Sequence, residues 1–251
     1  MTLLTIVQGM CDSLALDRPA NVIGNADGIT REMLGALNDA GNEMATENDP
    51  PFAGLTRFGT FTSVASEMQG ALSTIAPDFG YLINDTLWDT SNAWPTEGAI
   101  TPQQWALLVA RGGVAPYGKF RMLINPATNK MSIYVYPIPG AGETFTFEYV
   151  SKNWVLSPTP QTSGIFTWTS FQTDNDTVFY NEQALKLQAI WRFRMTKGAD
   201  DWQMWKQRAD DFTSGVKTQE VGTSSFRING WRGIHLVDLS NIQDGNFPGP
   251  S

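Results

Sequence analysis

The sequence predicts an α+β protein that is mainly a helical bundle. Two N-terminal and two C-terminal helices form the bundle, with an inserted antiparallel β region and an extended C-terminal arm. Three observations predict it. Apolar residues recur at three- and four-residue steps near both ends of the chain. The middle alternates apolar and polar residues in pairs. After Gly215 the chain mixes glycines with large apolar residues, which fits neither a helix nor a compact domain.

Residues 1–50 hold the first helix pair. Thr2 can cap a helix in which Leu3, Val7, Met10 and Leu14 form one stripe, and Pro19 closes it. The turn Asn25–Gly28 offers a second cap, for a helix over 29–46 with Ile29, Met33, Leu37, Ala40 and Met44 on one face. Asn48, Asp49, Pro50 and Pro51 end it. Residues 51–177 form the β-rich insert. Within it, Thr101-Pro102-Gln103-Gln104 starts a short helix with a capping box. Residues 119–151 read as a three-stranded meander, with turns at 125–130 and at Pro137–Gly140. Residues 178–215 hold the second pair. Asp174 or Asp176 is expected to cap its first helix, whose broad apolar face, through Tyr180, Leu187 and Trp191, implies burial between neighbours. Trp202, Trp205, Ala209 and Phe212 line its second helix, and Gly215 is expected to stop it.

Composition narrows the function. The 251 residues carry a net charge of −8, and no run of Lys and Arg exists to displace counterions from DNA. Charged residues are only 17 %, so much of the polar surface is Asn, Gln, Ser and Thr, which suits extensive protein contact. Cys11 is the single cysteine; it lies on an apolar helical stripe and reads as a small core residue, without disulfide or metal-cluster chemistry. No apolar run spans a membrane, and Asp12 comes too early for a signal peptide, so synthesis in a cytoplasm is expected.

Catalytic constellations are sparse. His235, the single histidine, lies in the arm, without the rigid scaffold that a triad needs. Ser214-Gly215-Val216-Lys217 matches Ser-x-x-Lys but reads as a helix end. Asp174 and Asp176 lack the glutamate of a calcium loop, since position 185 is Leu. Glu67, Asp78, Asp85 and Asp89 fall near Tyr81, Trp88 and Trp94, the raw material for a glycoside hydrolase or a sugar-stacking surface. No cofactor motif and no metal set is found.

Residues 216–251 form the arm. It holds Phe226, Ile228, Trp231, Ile234, Leu236, Val237, Leu239, Ile242 and Phe247 among its glycines. A solvated tail is poor in such residues, so this one calls for a partner surface.

Several segments, in order, carry a resemblance. They are Ile83-Asn-Asp-Thr-Leu-Trp-Asp-Thr-Ser-Asn-Ala-Trp-Pro95, Tyr136-Pro-Ile-Pro-Gly140, Phe147-Glu-Tyr-Val-Ser-Lys-Asn-Trp154 and Leu187-Gln-Ala-Ile-Trp-Arg-Phe-Arg194. With the N-terminal helix, they make residues 1–215 resemble the head-to-tail connector adaptors of tailed phages, the tail accessory factors of short-tailed phages. The resemblance implies a helical bundle with a β-rich insert and a ring of about 12 copies beneath the portal protein, closed by heterologous contacts. It implies an arm that reaches the portal, a lower face for tail nozzle or tail fibre proteins, and a channel through which genomic DNA passes without specific binding. The expected place is the virion's head–tail interface. Portal contacts expected from size alone are Phe226, Trp231, Ile234, His235, Leu236 and Phe247. The alternatives are a tail-associated peptidoglycan hydrolase and a carbohydrate-binding tail component using Tyr81, Trp88 and Trp94.

Overall fold

The computed structural model describes residues 1–46, 51–112, 118–158 and 167–221. Four helices are gathered from the two ends of the chain: α1 (Leu3–Leu14), α2 (Gly28–Thr46), α5 (Glu182–Thr196) and α6 (Trp202–Val221). Two short ones, α3 (Leu72–Ile75) and α4 (Pro102–Ala110), lie between them.

Local chemistry sets the helix starts. The Thr2 hydroxyl accepts the Thr5 amide and opens α1. The Asp27 carboxylate takes both the amide and the hydroxyl of Thr30 and opens α2. Thr101 and Gln104 close the expected capping box on α4. Helix α5 packs against α1, α2 and α6, so its broad apolar face is buried on several sides.

The other half is a sheet. Its strands are β1 (Thr56–Thr62), β2 (Met68–Ala71), β3 (Phe79–Leu82), β4 (Trp88–Asp89), β5 (Trp94–Glu97), β6 (Gly118–Asn125), β7 (Lys130–Tyr136) and β8 (Thr144–Ser151). Among the described residues they form one curled eight-stranded sheet in the order β1-β8-β4-β5-β6-β7-β2, with β3 also on β8. Among the described residues only β5 and β6 run parallel, and the chain between them contains α4. A small second sheet joins β9 (Val155–Leu156) to β10 (Thr167–Trp168) and β11 (Thr177–Val178).

Two cores result. One fills the sheet's curve with Phe61, Leu72, Phe120, Ile133, Phe145, Phe147 and Tyr149. The other joins the helices to the small sheet around Trp154, Phe52 and Tyr180. Strand β8 divides them: Phe145, Phe147 and Tyr149 alternate into the sheet core, and Val150 enters the helical one. Trp154 locks the helical core. Its ring stacks on Tyr180 at 5.8 Å, and its indole N–H donates to Asn42 Oδ1 at 2.9 Å. A Cβ on Gly41 would meet that ring at 2.3 Å, so only glycine fits where α2 passes it.

The sequence expectation of a mainly helical bundle with a β excursion is therefore corrected. The sheet is a layer with its own core, and the terminal helices pack beside it. The expected meander is corrected too. Strands β6 and β7 pair as a hairpin, from Asn125↔Lys130 to Lys119↔Tyr136, but β8 leaves them and lies between β1 and β4. Trp154, Val155 and Phe171, from the 51–177 segment, join the helical core. Gly215 does not end a helix: α6 continues to Val221. Nor does Asp174 or Asp176 cap α5. Asn181 does, accepting the amides of Gln183 and Ala184. The two aspartates serve the N-terminus of α1 instead, since their carbonyls accept Leu4 and Leu3 N–H, and the Asp174 carboxylate accepts Val22 and Ile23 N–H.

Candidate functional site

A cleft of about 200 Å³ lies at one end of the sheet. Two loops build it: the tight connection from β4 to β5, and the stretch 137–143 between β7 and β8. Asp89 shapes the first loop. Its buried carboxylate accepts the amides of Ser91 and Asn92 at 3.0 and 3.1 Å and the Asn92 side chain at 2.7 Å. That turn presents Trp94, the cross-strand partner of Asp89, which is 54 % exposed. Ser63 pins the second loop. Its hydroxyl accepts Glu143 N–H at 2.9 Å and donates to Gly140 O at 2.5 Å, and its backbone bonds Glu143 and Gly142. Ile138 stands on this loop, 53 % exposed, and lines the cleft with Trp94. Glu143 and Asn92 supply polar groups between them. Two of the segments that carry the phage-adaptor resemblance, 83–95 and 136–140, meet at this cleft.

Apolar side chains are exposed elsewhere as well. Phe58, in the middle of β1, is 77 % exposed. Strand β1 is also an edge, paired only with β8 among the described residues. On α6, Met204 and Phe212 stand about two turns apart on one face, with Arg208 and Asp211 between.

Three of the four candidate carboxylates are tied into structure. Glu67 accepts the Trp105 indole N–H at 2.9 Å, Asp78 accepts the Tyr149 hydroxyl at 2.7 Å, and Asp89 holds its own turn. Burial first, and then that bond to Asp78, pushes the Tyr149 phenol well above its usual value. Asp85 sits exposed in a turn with φ 61°. The three aromatics do not assemble either. Trp88 pairs with Pro95 and Trp94 with Asp89, so neighbouring positions put the two indoles on opposite faces of the sheet. Tyr81 packs on the helical core. Ser214 is exposed in the body of α6, and Lys217, one turn on, is buried with its ammonium 4.9 Å from the Phe52 ring centre. No group of His, Cys, Asp and Glu suited to a metal occurs among the described residues. Cys11 is buried beside Met33, and burial raises its thiol pKa.

The expected portal contacts Phe226, Trp231, Ile234, His235, Leu236 and Phe247 lie outside the described residues. Reasoning from sequence missed Ser63, Asn92, Ile138 and Glu143. The one available signal was the Pro137-Ile-Pro139 segment, an apolar residue held between two prolines in a turn. No protein-family model matches this chain, and no curated protein matches it.

Proposed function

We propose that the chain is a structural virion protein, an adaptor subunit that joins a portal to a phage tail and docks by its C-terminal arm. The observation that carries this reading is the spread of exposed apolar side chains over unrelated elements: Phe58 on the sheet edge, Trp94 and Ile138 at the cleft, Met204 and Phe212 on α6. Two pairs of these side chains sit together, Trp94 with Ile138 at the cleft and Met204 with Phe212 on α6; covering them removes apolar area from water, and a ring subunit would have copies on two sides and partners above and below. The arm adds a further sticky surface, whose ordering entropy the portal contact must exceed. The acidic surface suits a channel past which DNA slides. On this reading the carboxylates near Tyr81, Trp88 and Trp94 are structural, and no turnover is required of them.

The extent of α6 sets where the arm can be removed. A chain ending at Val221 keeps the Glu220 carboxylate bonded to Ala53 N–H and should melt like the full protein. Mixed with portal rings and sedimented, the full chain is expected to bind and the shortened one to remain free. Normal portal binding by the shortened chain would reject the arm model.

A second reading has one observation in its favour. Trp94 beside Asn92 and Glu143 offers an aromatic face with polar neighbours, enough for a single saccharide ring. Quenching of tryptophan fluorescence by host polysaccharide, lost in Trp94→Phe, would support it.

A further inference from the structure

One cross-strand row of the curled sheet holds an acid among aromatics. Phe61 on β1 faces Phe145 on β8, Phe145 faces Asp89 on β4, and Asp89 faces Trp94 on β5. Residues directly opposite one another point to the same side of a sheet, so these side chains share the core face. Burial holds along the row as far as Asp89, 6 % exposed, and ends at Trp94. The row therefore runs out of the sheet core into the cleft, which Asp89 and Trp94 both line. Negative charge collects there without a counter-charge. The turn gives the Asp89 carboxylate three N–H donors, two on Oδ1 and one on Oδ2, and no cation. Glu143 reaches the same cleft from the other loop. No ion pair among the described residues includes either acid. Trp94 is in the same position. Arg121, Arg192 and Arg208 stand over the rings of Trp105, Trp191 and Trp205, whereas no cation among the described residues covers Trp94.

We propose that the cleft binds the side chain of a lysine from a protein partner, its stem along Trp94 and Ile138 and its ammonium toward Glu143 and Asp89. A carboxylate and an aromatic face each attract a positive charge, and more strongly where water is held off. The apolar walls suit the four-carbon stem. Size favours a side chain over a free ligand. The cleft holds about 200 Å³, less than the roughly 300–1,000 Å³ of pockets that enclose whole small molecules. Bond capacity favours lysine over arginine. A carboxylate accepts about four bonds, and Asp89 has three already, so it has room for a single donor and not for a planar fork. The inference goes beyond the adaptor reading and does not depend on it. It differs from the saccharide reading of the same cleft by requiring a positive charge.

The test needs no portal, so its failure is separate from any failure of docking. The isotope-labelled full chain is titrated with Nα-acetyl-lysine amide at constant ionic strength. The signal followed is the indole N–H of Trp94, identified by its loss in Trp94→Phe. That signal is expected to move to saturation. Glu143→Gln is expected to weaken binding about tenfold, the loss of one charge-assisted bond. The Glu143 N–H keeps its bond to Ser63 in that variant, so the loop stays pinned. The same ligand acetylated on its side-chain nitrogen has no charge and is expected not to bind. A signal that never moves, equal binding by Glu143→Gln, or equal binding of the acetylated ligand would overturn the proposal. Arginine amide binding as tightly would overturn the choice of lysine. Saturation by N-acetylglucosamine and not by the lysine amide would overturn it in favour of a saccharide.

Discussion

Trp154 joins three parts of the chain by three kinds of contact: it stacks on Tyr180, meets Phe171 edge-on at 5.1 Å, and donates to Asn42 on α2. Trp154→Ala opens a large cavity and leaves the Asn42 oxygen without its donor. Such changes cost about 3–5 kcal/mol, so the urea midpoint should drop sharply while unfolding stays cooperative. A loss below about 1 kcal/mol would show that the helical core does not depend on this ring. Acid sensitivity has its own residues. The Thr30 amide holds the Asp27 carboxyl below its usual value, and the Arg194 guanidinium does the same for Asp201. The folded chain binds these protons less tightly than the unfolded chain does. Their stabilising contribution is complete above about pH 4 and fades as the pH falls through the lowered values. Asp27→Asn keeps an acceptor for the Thr30 amide but removes the titration. Its denaturation midpoint should therefore fall less between neutral and strongly acid pH than that of the parent. An equal or steeper fall would count against this assignment.

Gly215 distinguishes two accounts of α6. If it ended the helix in a left-handed turn, alanine there would be strained. Instead it lies within a continuous helix, and a Cβ would meet nothing within 4 Å. Gly215→Ala should then stabilise the protein by about 0.5–1 kcal/mol, read as a raised thermal midpoint. A lowered midpoint would restore the helix end. Much of the helical detail was legible in the sequence, because caps and stripes are local. Thr2, Asp27 and the Thr101–Gln104 box all act within four residues. Strand order was not legible. Strand β8 alternates as expected, yet its partners on β1 are ninety residues away, as in Thr56↔Val150 and Thr60↔Thr146. Strands of two residues, such as β4 and β9, are too short to show any period. The cap of α5 was misread for a related reason: Asp174 and Asp176 are good caps by type, but the Asp174 carboxylate accepts Val22 and Ile23 N–H, and the Asp176 carboxylate accepts Gln172 and Thr173 N–H. At the cleft, Trp94 stood out by its size, whereas Ser63 and Glu143 are eighty residues apart and meet only in the fold.

The described residues combine a curled sheet and a helical layer. Exposed apolar residues lie on the sheet edge, the cleft rim and α6. In a ring, two of these surfaces would meet each other on adjacent copies. An added charge at one of them should block closure without unfolding the subunit. Met204→Asp is such a change: it should leave the circular dichroism and the melting of the subunit unaltered, but yield monomers by size-exclusion chromatography where the parent is expected to form rings. Rings of undiminished yield would remove α6 from the lateral contact. The central claim, that this chain is an adaptor, is tested most directly by electron microscopy of the purified protein, alone and mixed with a matching portal. The account predicts a closed ring stacked coaxially on the portal. A protein that stays free and monomeric with the portal present would contradict it.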